Sequence, residues 1–178
     1  SEILSKIDER KALSDIKEML SLEAVWDKDI HSLSGGELQR ITIAAVALRD
    51  ADVYIFDEPS SYLDVFQRMR MASLVQGLAQ SSKYVLVAEH DMAVLDYISD
   101  QVCLFYGKPG VYGIVSNVHG VRTGINIYLQ GYIPDENMRF RKNPIVFHVK
   151  PPSMGLGSGE TLLKWGELSK SYEGFTLS

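Results

Sequence analysis

The chain has 178 residues, of which 46% are apolar, and its formal net charge is −5. This allows one packed core with a second small unit, and it argues against a domain that coats nucleic acid, although a local basic patch stays compatible with it. The single Cys103 excludes an internal disulfide and a cysteine-ligated zinc or iron–sulfur site within this sequence. No apolar run approaches the roughly 20 residues that span a bilayer. We therefore expect a soluble, cytoplasmic protein with no membrane partner.

Apolar residues in positions 1–26 recur at helical spacing, with a break near Arg10, which predicts small amphipathic helices. The run LSGGELQR at positions 33–40 predicts the start of a longer helix, because Ser34 and Glu37 have the S-x-x-E spacing of a capping box. Two glycines in a first turn weaken a helix by about 1 kcal/mol each. They indicate that something approaches the backbone closely, and a phosphate is the usual candidate because a helix start offers unpaired N–H groups.

Two apolar runs, 53–56 and 84–88, predict strands of a parallel sheet that are buried on both faces, with a helix over 65–78 between them. Asp57 and Glu58 follow the first strand, and His90 comes soon after the second. Taken alone, the acids could merely open a turn, and a lone histidine is more often structural. Because the carboxyl ends of parallel strands meet at one edge, where ligands bind in open α/β sheets, we expect these side chains to converge on a ligand.

The second half of the chain is less regular. Its predicted elements are a helix over 92–98, a hairpin of residues 101–106 and 111–116, a helix over 122–130 ended by Gly131, a strand candidate at 145–149, a linker at 150–160 and a new unit at 161–178. The sequence opens inside a helical pattern and stops where a strand is under way. We therefore expect it to be a piece of a longer polypeptide.

Three motifs in order, LSGGELQR, VYIFDEPSSYLD and VAEHD, resemble the second half of an ABC-type nucleotide-binding domain. The resemblance implies an α/β, P-loop NTPase-like ABC ATPase fold, present here in part as a parallel sheet with helices. It makes 33–40 the signature motif, 53–58 the Walker B strand, 60–64 the D-loop and His90 the switch histidine. Residues 1–50 would be the end of the helical subdomain.

Residues 122–141 are similar to the first hinge of the E subfamily, the soluble twin-cassette ATPases of ribosome recycling. This resemblance implies four segments. They are the C-terminal half of a first nucleotide-binding domain (1–120), a hinge (121–149), a linker (150–160) and the first strand region of a second nucleotide-binding domain, the start of a second α/β domain (161–178).

The resemblance also implies catalytic and metal-binding roles. Asp57 would hold Mg²⁺, Glu58 would be the general base for ATP hydrolysis, and His90 would hydrogen-bond the γ-phosphate. No G-x-x-x-x-G-K-[ST] motif occurs in the sequence, so we expect the segment to be inactive alone. ATP and Mg²⁺ are the implied cofactors, and iron–sulfur clusters are expected only in an amino-terminal domain outside this sequence.

A second set of residues would bind nucleotide without catalysing its hydrolysis. Ser34 and the amides of Gly35 and Gly36, with Glu37 in the same turn, would contact an ATP held by the other cassette. Asp64 of the D-loop would couple the two sites. Tyr172 would stack on adenine in the second site, although a single tyrosine in a strand is more often simply part of the core.

The function implied by the resemblance is ATP-driven splitting of ribosomal subunits, transmitted through residues 122–142. The implied partners are the second nucleotide-binding domain of the same polypeptide, release-factor-type proteins, and the small ribosomal subunit with its rRNA. Arg139 and Arg141 of the hinge would contact the rRNA, or would belong to a merely solvated face. Two alternatives stay open: an ATPase subunit of a transporter or repair complex, and a non-catalytic fragment when isolated.

Overall fold

The computed structural model describes residues 2–81, 83–147, 163–164, 166–172 and 174–177. The chain divides into two compact units, Ser1–Ile145 and Val146–Ser178. The helices of the first unit are α1 (Glu2–Lys6), α2 (Leu13–Met19), α3 (Gly35–Ala47), α4 (Val65–Gln80), α5 (Met92–Ile98) and α6 (Val121–Gln130), with 3₁₀ turns at Glu23–Val25 and Ile30–Ser32. Its strands are β1 (Val53–Asp57), β2 (Tyr84–Ala88), β3 (Gln101–Val102), β4 (Phe105–Lys108), β5 (Tyr112–Val115), β6 (His119–Gly120), β7 (Tyr132–Ile133) and β8 (Met138–Arg139).

The two predicted strands β1 and β2 pair in parallel, in a register that runs from Val53 opposite Tyr84 to Asp57 opposite Ala88. Helix α4 connects them, which confirms the predicted strand–helix–strand unit. Because both strands end at the same level, the residues that follow Asp57 and Ala88 lie at one edge of the pair. This edge carries the predicted ligand groups.

The prediction that β1 is buried on both faces is wrong for the described part of the chain. Tyr54 and Phe56 belong to the main hydrophobic core, together with residues of α1 to α5. On the opposite face Ile55 is 71% exposed, and its cross-strand partner Leu86 is exposed as well. Among the described residues, helices pack on one side of the pair only, so an apolar sequence run did not by itself reveal how many faces of the strand are covered.

Buried Arg40 ties α3 to the preceding helical segment. Its guanidinium donates hydrogen bonds to the carbonyl oxygens of Leu20 (2.8 Å) and Ser21 (2.7 Å). Ser21 has a left-handed backbone with φ of 51°, which non-glycine residues adopt rarely. The arginine at the end of the LSGGELQR run therefore holds the turn between α2 and the first 3₁₀ segment.

Residues 101–141 form a small structure with its own core of Leu104, Ile127 and Ile133. The predicted hairpin is present as β4 and β5, but the run predicted as its first strand is divided, since β3 pairs with β6 instead. Helix α6 ends as predicted at Gly131, whose φ of 71° is left-handed. Strands β7 and β8, which the sequence did not predict, form a short antiparallel pair after that glycine.

The described part of the second unit contains an antiparallel pair, β9 (Lys170–Tyr172) and β10 (Phe175–Leu177), joined at Gly174. The predicted linker at 150–160 lies outside the described residues. Residues 145–147 form no strand, and the rest of that strand candidate is likewise outside the described range. Within the described ranges, no helix is long and apolar enough to cross a membrane.

Candidate functional site

Helix α3 begins at a complete capping box, as the sequence predicted. Ser34 has extended backbone angles, its Oγ accepts a hydrogen bond from the Glu37 amide at 3.4 Å, and its own amide donates to Glu37 Oε2 at 2.8 Å. Capping fixes the entry of the chain into the helix and leaves the first-turn amides of Gly35 and Gly36 without intrahelical acceptors. The Ser34 hydroxyl proton remains available to a ligand because its oxygen serves as the cap acceptor.

Both carboxylate oxygens of Glu37 are occupied by the protein. Lys28 Nζ lies 2.8 Å from Oε1, and Oε2 accepts the Ser34 amide. The hydrogen bond from Lys28, followed by those from Ser34, lowers the pKa of Glu37 to about 2. Glu37 is therefore ionised at neutral pH. Its hydrogen bonds with Ser34 and Lys28 stabilise the turn that begins α3.

The structure gives a specific reason for glycine at position 36. A Cβ atom built there would lie 2.7 Å from the backbone oxygen of Tyr62. A Cβ at Gly35 would meet the Tyr62 ring at 3.5 Å, an ordinary contact. The close approach that the sequence attributed to a phosphate is thus made, at Gly36, by the backbone of the loop that follows β1.

The first turn of α3 opens onto a cleft of about 500 Å³. It is lined by Ser34, Gly35, Gly36, Glu37, Arg40, Tyr62, Asp64 and Gln67. Asp64 caps α4, since its Oδ1 accepts the Gln67 amide at 2.9 Å. A helix start with free amides beside a serine hydroxyl is suited to an anion such as a phosphate. We call this space the signature cleft.

Glu58 stands at the carboxyl edge of the parallel pair in a left-handed conformation, with φ of 45°. Such a backbone costs of order 1–3 kcal/mol and persists only where its surroundings fix it. Here the Glu58 amide donates to the Ala88 carbonyl at 2.8 Å, and Gln39 Nε2 lies 3.3 Å from the carbonyl oxygens of both Glu58 and Pro59. The glutamate is held from β2 on one side and from α3 on the other.

The Glu58 side chain faces His90, as the sequence predicted for the two strand ends. Glu58 Oε1 lies 3.6 Å from His90 Nδ1, and Ser61 Oγ donates to Oε2 at 3.2 Å. Both side chains are open to solvent, with 57% of Glu58 and 72% of His90 exposed. A second cleft, of about 280 Å³, is lined by Gln39, Asp57, Glu58, Ser61 and Tyr62. We call it the carboxylate cleft.

The sequence pointed to some residues of this region and missed others. Glu89 lies within the VAEHD motif and was given no role, yet its carboxylate accepts the Ser60, His90 and Asp91 amides. Tyr62 lines both clefts, and no spacing rule singles it out. The available signal for Glu89 was its place between a predicted strand and a candidate catalytic histidine.

Tyr172 belongs to the second unit and is described by itself. It lies on β9 with 62% of its surface exposed, and Lys170 Nζ is 5.9 Å from the centre of its ring. Within that unit, its ring is accessible rather than part of a core.

A parallel strand–helix–strand unit with acids at its edge, next to a glycine-containing helix start, is compatible with the P-loop NTPase-like fold of ABC-type ATPases. The profile of the family described as "ABC transporter" matches residues 3–61.

Proteins that match over nearly the whole chain indicate a subfamily within this class. The chain is 45% identical over 180 residues to "Translation initiation factor RLI1" of Saccharomyces cerevisiae, covering 98% of this chain and 30% of the relative. A crystal structure of the archaeal ribosome recycling factor aABCE1 with the ribosomal stalk protein aP1 matches with TM-score 0.87 and 49% identity, over 98% of this chain and 34% of that chain. A ribosome-bound archaeal Pelota and ABCE1 structure matches with TM-score 0.87 and 50% identity, over 98% and 29%.

This chain belongs to the E subfamily of ABC-type ATPases. It spans about a quarter to a third of the length of the curated relatives it matches.

The contact between Gly36 and Tyr62 yields a matched pair of variants. We expect Gly36→Ala to lower the free energy of unfolding by about 1–3 kcal/mol, because the loop backbone must move away from the new methyl group. Gly35→Ala adds the same methyl group one residue earlier, without that clash, and should be neutral or stabilising by up to about 1 kcal/mol. Chemical denaturation of both variants checks this. Equal stability of the two variants would contradict the role assigned to the Tyr62 carbonyl.

Proposed function

We propose that this chain supplies one ATP-hydrolysing edge and one signature turn to a twin-cassette ATPase that splits ribosomal subunits. The observation that carries the ATPase proposal is the convergence of Asp57, Glu58, Ser61 and His90 at the carboxyl edge of the parallel strands. The proposed ribosomal role is supported by the relatives, whose names and titles refer to translation initiation, ribosome recycling and the ribosome.

The described residues suit ATP with Mg²⁺. Magnesium binds through one or two carboxylates together with phosphate oxygens and water. Asp57 at the strand end is exposed and offers one such carboxylate. Bound Mg²⁺ would neutralise charge between the β- and γ-phosphates, which is its usual contribution to phosphoryl transfer. The residues of this chain would then align the water and hold the phosphate.

Glu58 is the proposed general base. Its Oε2 is held by the Ser61 hydroxyl, so Oε1 is left to accept a proton from the attacking water. His90, 3.6 Å from that oxygen, would donate a hydrogen bond to the γ-phosphate and keep it next to the water. The pinned, left-handed backbone of Glu58 would hold this geometry before ATP arrives.

The signature cleft would act on a second nucleotide, held by the other cassette. Its donors are the Ser34 hydroxyl and the amides of Gly35 and Gly36, and charge-assisted hydrogen bonds are worth about 1.5–3 kcal/mol each. Two or three of them on a γ-phosphate would favour the closed pair of cassettes, and loss of that phosphate would release it. Asp64, which caps α4 at the rim of this cleft, would couple the two sites. Tyr172, with its ring exposed, would stack on the adenine of the second site.

The proposed hinge, residues 121–149, presents its basic side chains in two different ways. Arg141 is engaged within the protein: its guanidinium donates to the carbonyl oxygens of Leu129 (2.8 Å) and Tyr128, and it lies over the Tyr128 ring. These bonds cap the carboxyl end of α6. Arg139 is exposed, with its guanidinium 5.2 Å from the Tyr132 ring centre. We therefore assign rRNA contact to Arg139 and a structural role to Arg141.

The test of the hydrolytic role is Glu58→Gln in the intact twin-cassette protein, with the other cassette inactivated. The amide keeps the shape of the side chain but cannot take up the proton, so kcat should fall by about 10²–10⁴-fold while ATP binding is retained. Single-turnover hydrolysis and equilibrium ATP binding separate the two effects. Glu18→Gln, an exposed acid on α2, is the matched control. Unchanged turnover would remove Glu58 from the mechanism.

The test of the hinge is Arg139→Glu in the same protein. Association with the small ribosomal subunit should weaken, and the slope of log K against log salt should become shallower by about 1. Lys108→Glu makes the same charge change at an exposed position outside the hinge and should have little effect. If the two variants bind alike, Arg139 belongs to a solvated face and does not contact rRNA.

A further inference from the structure

The carboxylate of Glu89 is buried and joins two loops. None of its side chain is exposed to solvent. Its Oε1 accepts the amides of His90 (2.8 Å) and Asp91 (3.1 Å), and its Oε2 accepts the amide of Ser60 at 3.3 Å. Ser60 is the first residue of the proposed D-loop, whereas His90, the proposed switch histidine, and Asp91 follow β2. One side chain thus binds the backbones of both loops, and we call this arrangement the loop clasp.

Burial of an acid normally favours its neutral form, because a charge loses its hydration. Burial accordingly raises the pKa of Glu89, but the hydrogen bonds from Asp91, Ser60 and His90 outweigh it and hold the pKa below its ordinary value. Two of the three amides donate to Oε1 and the third donates to Oε2, so the atoms at both positions must be hydrogen-bond acceptors. Only a carboxylate of this length meets that need, since a glutamine offers one acceptor and one donor group.

A second connection runs parallel to the loop clasp. Arg68 Nε donates to the Leu63 carbonyl at 3.0 Å, and its Nη1 pairs with Asp91 Oδ2 at 2.8 Å. Asp91 in turn caps α5 through the amides of Ala93 and Val94. Arg68 therefore joins Leu63, near the end of the proposed D-loop, to Asp91, whose amide also bonds to Glu89 in the loop clasp.

We propose that Glu89 is a positioning residue that locks the D-loop to the switch, so that Glu58 and His90 keep their spacing when the cassettes open and close. The proposal rests on the hydrolytic role proposed for Glu58. Glu58 lies between the two anchored points, two residues before Ser60 and hydrogen-bonded through its amide to Ala88, which precedes Glu89. A shift of either loop would change the 3.6 Å separation between the Glu58 carboxylate and the His90 ring.

The experiment is Glu89→Gln in the intact twin-cassette protein with the other cassette inactivated, next to Asp96→Asn. The control removes the same charge from an exposed side chain on α5. In Glu89→Gln the side-chain NH₂ group replaces one carboxylate oxygen and faces at least one backbone N–H, so two donors meet without an acceptor. We expect the resulting shift of the loop to lower kcat by about 10- to 100-fold. The KM for ATP should stay unchanged, because Glu89 lines neither cleft.

Hydrogen exchange supplies a readout that general destabilisation would not reproduce. In Glu89→Gln the peptides that cover 57–64 and 88–91 should exchange faster, while α4 keeps its protection. Asp96→Asn should match the unsubstituted protein in both measurements. If Glu89→Gln does not fold, Glu89→Asp decides: it keeps the charge but is one methylene too short to reach all three amides, and it should show the same loss of kcat.

The outcomes separate this proposal from the hydrolytic role. If Glu58→Gln abolishes turnover but the Glu89 variants keep the kcat and the exchange pattern of the control, the proposal for Glu89 is wrong and the role of Glu58 stands. If Glu58→Gln leaves turnover unchanged, the hydrolytic role itself fails. If Glu89 variants raise KM and exchange throughout the chain without a local effect, Glu89 is a general stability residue and the positioning role is overturned.

Discussion

The close approach of the Tyr62 carbonyl to the first turn of α3 is the contact on which the site depends. It brings the loop that follows β1 within 2.7 Å of where a side chain would begin at position 36, so the two segments can meet only if that residue is glycine. Gln39, one turn further along the helix, bonds the carbonyls of Glu58 and Pro59. The helix start and the acidic strand end are therefore joined by direct contacts, although they line different clefts.

Acidic groups are numerous near a site proposed for a polyphosphate, and their surroundings divide them into two kinds. Glu37 and Glu89 have both oxygens occupied, by Lys28 and backbone amides in one case and by backbone amides alone in the other. Asp57 and Glu58 stay exposed at the strand edge. The first kind fixes loops, and the second is free to meet a metal ion and a water molecule. Of these four acids, the two that stay exposed are the two to which the proposed chemistry assigns a role.

Sequence patterns predicted the features that depend on interactions between residues close together in the chain. The spacing of Ser34 and Glu37 gave the capping box, Gly131 gave the end of α6, and the apolar runs gave β1 and β2 in their order. Contacts between segments far apart in sequence could not be read in the same way. The partner of Gly36 is 26 residues away, the bonds of Arg141 to α6 depend on a turn between them, and the exposed face of β1 depends on which helices pack there. Arg139 and Arg141 received the same proposed role from the sequence because both are basic. In the structure Arg141 bonds to α6, whereas Arg139 is exposed.

The central proposal is that the signature cleft and the carboxylate cleft of this chain serve two different nucleotides. A structure of the intact twin-cassette protein with ATP and Mg²⁺, in the Glu58→Gln form to prevent hydrolysis, tests it most directly. We expect two ATP molecules, one with its γ-phosphate beside Ser34 and the amides of Gly35 and Gly36, the other with its γ-phosphate beside residue 58 and His90. A single ATP whose γ-phosphate contacts both Ser34 and His90 of the same chain would contradict the proposal.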